Sequence, residues 1–401
     1  MKKLLLVFAS FLLLSCEREL GGNITPVNVP TTTTISGTIN TTTTLTADKV
    51  WTLKGYVYVT DGAKLIIQPG TTIVSDIAEK GALCIERGAQ IIADGTAQKP
   101  IVFTSGRPDG EKSPGDWGGI VILGRATTNR TSEPTIEGGI GRPYGGTNDT
   151  DNSGILRYVR IEYAGVAAMP NSEINALTLG GVGSGTIIDN VQTIYANDDA
   201  FEFFGGTVNA KNLYAYATAD DDFDFDFGYR GTIINSVAKR DPQFVDNGDA
   251  GNGVECDNDG TGSSAKPFTH PKLDGMILIG PFDVSSLPNH NLGLRWRRAT
   301  QFTITNSKIL GWQKGGFSIE SVETAQSYKD GISIFANNEV QSYDGNLNFI
   351  SKATTILSST DITIKALNDG SIEKSYTKEE LELLSKPIWI NGWTRFPIKG
   401  K

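Results

Sequence analysis

Methionine, cysteine and histidine are nearly missing from this 401-residue chain, at 3, 3 and 2 residues. The two histidines, His270 between Thr269 and Pro271 and His290 between Asn289 and Asn291, read as solvated loop residues rather than metal ligands. A basic excess is missing as well. With 36 Lys and Arg against 45 Asp and Glu the net charge is −9, which argues against a nucleic-acid backbone or an anionic membrane surface as the main partner. Helical periodicity is scarce, and only Thr377-Lys378-Glu379-Glu380 before Leu381-Glu382-Leu383-Leu384 has the form of a capping box opening a helix. That helix, with Trp389 and Trp393, is expected to cover the C-terminal end of the fold. What is abundant is glycine, at 46 residues, as in a turn-rich all-β protein.

The N-terminus reads as a targeting segment: a basic Met1-Lys2-Lys3, an apolar run from Leu4 to Leu14, and Leu13-Leu14-Ser15-Cys16. That quartet resembles the lipobox of bacterial lipoproteins, which implies cleavage before Cys16 and lipid attachment to it. The apolar run is too short to span a bilayer, so the expectation is a lipid anchor rather than an inserted helix. Glu17-Arg18-Glu19 differs from an Asp-containing retention signal, and an outer-membrane, cell-surface location is expected. Residues 17–49, with Thr31 to Thr34 and Thr41 to Thr44 as runs, read as a flexible tether.

From residue 50 the grammar is short apolar strands broken by glycine. The clearest is Asp220-Asp221-Asp222-Phe223-Asp224-Phe225-Asp226-Phe227-Gly228, where Phe and Asp alternate as in a strand with one buried and one wet face. The same frame recurs at Ala200-Phe201-Glu202-Phe203, Val254-Glu255-Cys256-Asp257, Leu294-Arg295-Trp296-Arg297 and Phe317-Ser318-Ile319-Glu320. Leu177, Phe201 and Phe223 open such strands at spacings of 24 and 22 residues. Asn190, Asn212, Asn235 and Asn306 follow at a matching place, which suggests an amide ladder along a turn column. Several strands per repeat suit a solenoid of stacked β-coils, about eleven of them. Cys84 and Cys256 fall many coils apart and read as buried, unpaired thiols. Residues 105–118, 125–153 and 257–273 read as corner loops, and Gly180 to Gly185 as a tight corner.

Those coils resemble secreted bacterial right-handed parallel β-helix proteins. Gly180-Gly181-Val182-Gly183-Ser184-Gly185-Thr186 and Asn197 to Thr207 are similar to a sub-family of β-helix lipoproteins without established activity, as is the closing Asn391-Gly392-Trp393-Thr394-Arg395-Phe396. The expected organisation is a signal peptide over 1–16, the tether over 17–49, the β-helix over 50–325, and last coils with a C-terminal cap over 326–401.

In-register coils would align Thr178, Glu202, Asp224, Glu255, Arg295 and Ser318 in one outward row, with Asp226, Asp257, Arg297 and Glu320 beside it. Asp198, Asp199, Asp221 and Asp222 fall in the turns before them. Like charges about 5 Å apart repel by roughly 3 kcal/mol at an effective dielectric near 20, so such a row is either screened by water and neighbouring Arg295, Arg297 and Arg298 or holds a cation. Calcium, with its taste for several carboxylate oxygens, is the candidate cofactor at Asp198, Asp199, Asp221 and Asp222. The candidate binding residues are Glu202, Asp224, Asp226, Glu255, Asp257, Arg295 and Arg297.

The function expected is a monomeric, non-catalytic binding module for a glycan, a surface component or a protein. The alternatives are a calcium-dependent polysaccharide lyase or glycoside hydrolase, and a passive spacer. Acidic residues beside Arg resemble the active face of pectate lyases, and Asn197-Asp198-Asp199-Ala200 resembles the strand start of polygalacturonases. The Gly-His-Gly turn and Arg-Ile-Lys strand of the latter are absent. Phe201, Phe203, Phe223, Phe225 and Phe227 are expected inside, and Tyr163 and Tyr229 outside.

Overall fold

The computed structural model describes residues 31–169, 172–248, 250–282, 287–343, 348–358 and 369–396. The expected leader, lipidated Cys16 and the first part of the tether lie outside the described residues. Among those described, successive strands pair in parallel with the strands one coil earlier and one coil later, which makes a right-handed parallel β-helix. Each coil contributes to three sheets. Sheet A runs from the first half of Lys49–Val59 through Thr72–Ser75 to Ile372–Glu373. Sheet B passes through Leu83–Ile85, Ile120–Leu123, Leu177–Val182, Phe201–Gly206, Phe223–Asp226, Glu255–Cys256, Leu292–Trp296 and Gly315–Ile319. Sheet C begins with Thr43–Leu45 on Lys64–Ile67 and ends at Ile334–Ala336.

The solenoid starts earlier than expected. Thr31–Ile39 pairs with Lys49–Val59, so the Thr-rich stretch from residue 31 is strand and not tether. Threonine is β-branched and favours the extended backbone, and the Ile35, Ile39 and Leu45 set among the threonines supply buried side chains.

The interior is filled by one apolar row per strand. Phe201 stacks on Phe223 at 5.3 Å and Phe203 on Phe225 at 5.1 Å. Each such fully buried side chain contributes about 1.5–3 kcal/mol. Phe227 is the exception: its backbone is left-handed, φ 49°, and the half-buried ring turns outward to stack on the outward-facing Phe204 at 5.6 Å. Tyr163 and Tyr229 reverse the other expectation, since both are buried, and Tyr229 donates its hydroxyl to Val208 O at 2.8 Å. His290 is fully buried as well. His270 is only partly exposed and its Nε2 lies 3.0 Å from Thr303 Oγ1.

The turn from sheet C to sheet A takes one left-handed residue at coil after coil: Asn190, Asn212, Asn235, Asn306 and Asn337. Asparagine tolerates that conformation better than other residues with a Cβ, and here its amide also links coils. Asn212 donates to Asp189 at 3.1 Å and Asn235 to Asn212 at 2.7 Å.

The insertion at 125–153 does not simply project. Its Ile136, Ile140 and Tyr144 cover the outward side chains Cys84, Val121, Leu123 and Phe204 of sheet B. Cys84 is thus buried under the insertion while Cys256 lies in the main core, and both are free thiols.

Two helices are described where one was expected. Helix α1 (Val322–Lys329), capped by Ser321 accepting from Thr324 N, puts Ala325 into the core at the corner between sheets B and C. Helix α2 (Lys378–Leu384) has the expected capping box, Thr377 with Glu380. Its place differs. Leu381 packs on Ile279 and Leu310 of sheet A, and the chain beyond it runs back along that sheet to reach Tyr158, Arg160 and Gln192. The C-terminal segment is therefore a strap along the side of the rod. It covers apolar side chains on the outer face of sheet A that would otherwise meet water.

Candidate functional site

Sheet B sets the outward row by register alone. Thr178 is the neighbour of Glu202, Glu202 of Asp224, Asp224 of Glu255, Glu255 of Arg295, and Arg295 of Ser318. In the adjacent row Asp226 neighbours Phe204. Asp257, Arg297 and Glu320 continue its frame, with backbone bonds from Asp257 N to Phe225 O, Arg297 N to Cys256 O and Glu320 N to Trp296 O.

The corner leading into these strands carries a second, hydrogen-bonded ladder. Asn175 Oδ1 accepts from Asp199 N at 3.3 Å, and Asp199 Oδ1 accepts from Asp221 N at 2.8 Å. Asp221 Oδ1 accepts from both Asn252 N and Asn252 Nδ2, and Asn252 Oδ1 from Leu292 N at 3.2 Å. Every step needs only a side-chain oxygen to satisfy the next coil's N–H. Asparagine does this at the two ends and aspartate at the two middle rungs.

The carboxylates gather on those middle rungs. Oxygens of Asp198, Asp199 and Asp220 lie within 4.8 Å of one another, as do those of Asp199, Glu202 and Asp224, and those of Asp221, Asp224 and Glu255. Asp199, Glu202 and Asp221 are buried, and Asp198, Asp220, Asp224 and Glu255 half-buried. Burial, reinforced by the neighbouring negative charges, pushes Asp198, Asp221 and Glu255 up to about 8. The same causes hold Asp199, Glu202, Asp224 and Asp226 well above the carboxylate range.

The ends of the cluster are supplied with donors and its middle is not. Asn175 Nδ2 donates to Glu202, and Asn252 Nδ2 reaches Glu255 Oε2 at 3.4 Å. Asp224, between the two aspartate rungs, keeps a buried Oδ1 without a hydrogen-bond partner. Oxygens grouped in this way could hold a hard cation.

Asp222 does not join this group. It turns into the corner and pairs with Arg240 at 3.1 Å, both side chains being fully buried, while Arg240 also donates to Thr218 O and Asn252 O. Its expected role as a metal ligand is corrected by that pairing.

Downstream in the same rows, arginine replaces the missing charge. Arg295 Nη1 binds Glu255 at 2.7 Å and its Nε binds Glu320 at 3.3 Å. Arg297 makes a two-pronged contact with Asp257 at 2.8 and 2.9 Å and also reaches Glu255. Arg298 binds Asp257 at 2.7 Å. These arginines, with Thr261, Gly262, Ser321 and Glu323, line an open cleft of about 460 Å³.

The sequence reading missed Asn175, Asn252 and Arg240. Asn175 and Asn252 stand two residues before Leu177 and Val254, the same offset as Asp199 before Phe201 and Asp221 before Phe223. Aligning the repeats by that offset would have found them; searching for charge could not. Arg240 carries no local signal.

A solenoid of three parallel sheets with an acidic row facing out of one of them defines the class, a parallel β-helix protein. The chain belongs to the pectate-lyase-like β-helix family, whose domain model matches residues 37–394. Neither the curated proteins nor the solved structures contain a match.

Proposed function

We propose that the protein is a lipid-anchored cell-surface module of the outer membrane that binds a glycan or a surface partner through calcium held on sheet B. Asp198, Asp199, Glu202, Asp221, Asp224 and Glu255 supply the oxygens. The observation that carries this reading is the ladder. Asparagine would satisfy the next coil's N–H at 199 and 221 as it does at 175 and 252, without adding charge. Aspartate there removes the amide donors that Asp224 lacks and, once ionised, adds two negative charges beside it. A divalent cation supplies what both changes take away.

Lyase chemistry is the weaker reading. It asks an arginine beside the cluster to accept a proton, yet Arg297 is held protonated by Asp257 and Glu255, and Arg295 by Glu255 and Glu320. Ligand recognition then falls to the half-buried members of the cation-bearing row, Asp198, Asp224 and Glu255, and to the arginine-lined cleft beside it.

Calorimetric titration of chelator-treated protein with calcium chloride tests the reading. Saturable heat should appear together with a rise in Tm, since a ligand at 100 times its Kd adds about 2.7 kcal/mol of stability. Absence of both at millimolar calcium sinks it. Product formation from acidic polysaccharides in calcium would instead revive the lyase.

A further inference from the structure

The C-terminal strap is held in a way that apolar covering alone does not require. The side chain of Gln192, fully buried on the outer face of sheet A, spends both its atoms on the backbone of one residue: Oε1 accepts from Arg395 N at 2.8 Å, and Nε2 donates to Arg395 O at 2.9 Å. Arg160 Nη1 donates to Trp393 O at 2.9 Å. These bonds read main chain, as a neighbouring β-strand would. Side-chain seats flank them. Trp393 is fully buried and meets Tyr158 edge-on at 5.7 Å. The Arg395 guanidinium lies 3.5 Å from the buried carboxylate of Glu162, and Phe396 meets Tyr214 and Tyr216 edge-on at 5.2 and 5.3 Å. Register places the groove residues together: Arg160 beside Gln192, Gln192 beside Tyr214.

We infer that this face of sheet A is a peptide-binding groove for an extended Trp-x-Arg-Phe segment, filled by the chain's own residues 393–396 and able to take the same segment from a second copy. Two features favour exchange. Backbone-directed bonds are indifferent to which copy supplies the segment. The connection from α2 to the seat also leaves Lys386, Ile388, Asn391 and Gly392 exposed, with Ile388 86% exposed, and is held to the sheet at intervals, by Ser385 O accepting from Tyr214 and by Ile390 buried against Tyr214 and Val237. The resident segment normally wins because its tether gives it a high effective concentration.

The test uses the full-length chain and a fluorescein-labelled peptide of residues 386–396, followed by anisotropy. Wild-type protein should show no saturable binding. Trp393→Ala weakens the resident segment and leaves the groove intact, so it should bind the peptide saturably, and adding Gln192→Ala should weaken that binding at least tenfold. A Trp393→Ala protein with unchanged far-ultraviolet circular dichroism that ignores millimolar peptide overturns the inference. If that variant does not fold, native-state hydrogen exchange on wild type decides. Exchange of Arg395 N–H at least tenfold faster than that of the Ile187–Ile194 strand supports an exchangeable segment, and exchange only together with that strand overturns it.

Discussion

The outward row of sheet B has two halves built on the same buried pattern. From Thr178 to Asp224 the carboxylates stand together, buried or half-buried, with Asp224 Oδ1 lacking any donor. From Glu255 to Glu320 each carboxylate meets an arginine of an adjacent coil. The backbone, the register and the core residues beneath do not differ in kind. The difference therefore lies in the exposed side chains, and it teaches that stacked coils accept a carboxylate pair when arginine neutralises it. Where arginine is missing, the carboxyls are instead held well above their ordinary range by burial and by one another.

The largest expected effect comes from turning the compensated half into the uncompensated one. Arg297→Ala leaves Asp257 with only the half-exposed Arg298 and Glu255 with only Arg295, so a large part of the about 3–5 kcal/mol that breaking a buried pair costs should be lost. Urea unfolding in chelator should show that loss, and calcium should return part of it by occupying the new carboxylate cluster. An unchanged urea midpoint would mean that water already screens this half, and the contrast between the halves would fall.

The opposite change sharpens it. Asp199→Asn with Asp221→Asn keeps every ladder acceptor and supplies Asp224 with amide donors. Above pH 8, where the cluster becomes ionised, relieving repulsion of roughly 3 kcal/mol per close pair at an effective dielectric near 20 should make the metal-free protein more stable by about 1–3 kcal/mol. The same variant should lose the calcium response. A variant that is less stable without metal would show that the aspartates serve the fold itself.

The halves should also respond to pH with opposite signs. Asp198 and Asp221, and Glu255 at the border between the two halves, titrate near 8 when folded, above the ordinary carboxylate range of the unfolded chain. Their contribution is complete below about pH 4 and is lost as pH rises through 8. Glu320, lowered by Lys352 and Arg295 against its burial, contributes stability that is lost as pH falls. His290, lowered to about 4 by burial and by Arg240, loses its contribution between about pH 6.5 and 4. Metal-free protein should thus have its highest Tm at mildly acidic pH and a falling Tm toward pH 9. Saturating calcium should flatten that alkaline fall, because the cation favours the deprotonated cluster. A Tm that climbs from pH 6 to 9 in chelator would contradict the carboxylate argument.

How much of this was legible in the sequence follows from which forces act locally. The strand alternation and the left-handed asparagines are local rules, so the coils and the Asn ladder could be read directly, and the outward row followed once the repeat was aligned. Asp222 was misplaced because three consecutive aspartates do not say which one turns into the corner; that depends on Arg240, which reaches it from the next coil. Phe227 was misplaced because alternation assumes extended backbone and its φ is 49°. The Thr-rich start looked like a tether because composition hides the spaced Ile35, Ile39 and Leu45. The strap was illegible: contacts between residues 158–216 and 389–396 leave no periodic trace in either segment.

The smallest expected effect tests whether the arginine half is a network or a set of pairs. Arg298 is 43% exposed at its side chain and touches only one oxygen of Asp257, while Arg297 already grips both oxygens of the same carboxylate. A half-exposed ion pair added to a satisfied partner is worth about 0–1 kcal/mol, and Arg298 also holds a left-handed backbone, φ 47°, which alanine would tolerate no better. Arg298→Ala should therefore shift the urea midpoint marginally and leave calcium binding unchanged. A loss near that of Arg297→Ala would mean that the three arginines act as one unit. The neutral half would then be a cooperative wall against the acidic one rather than a run of separate pairs.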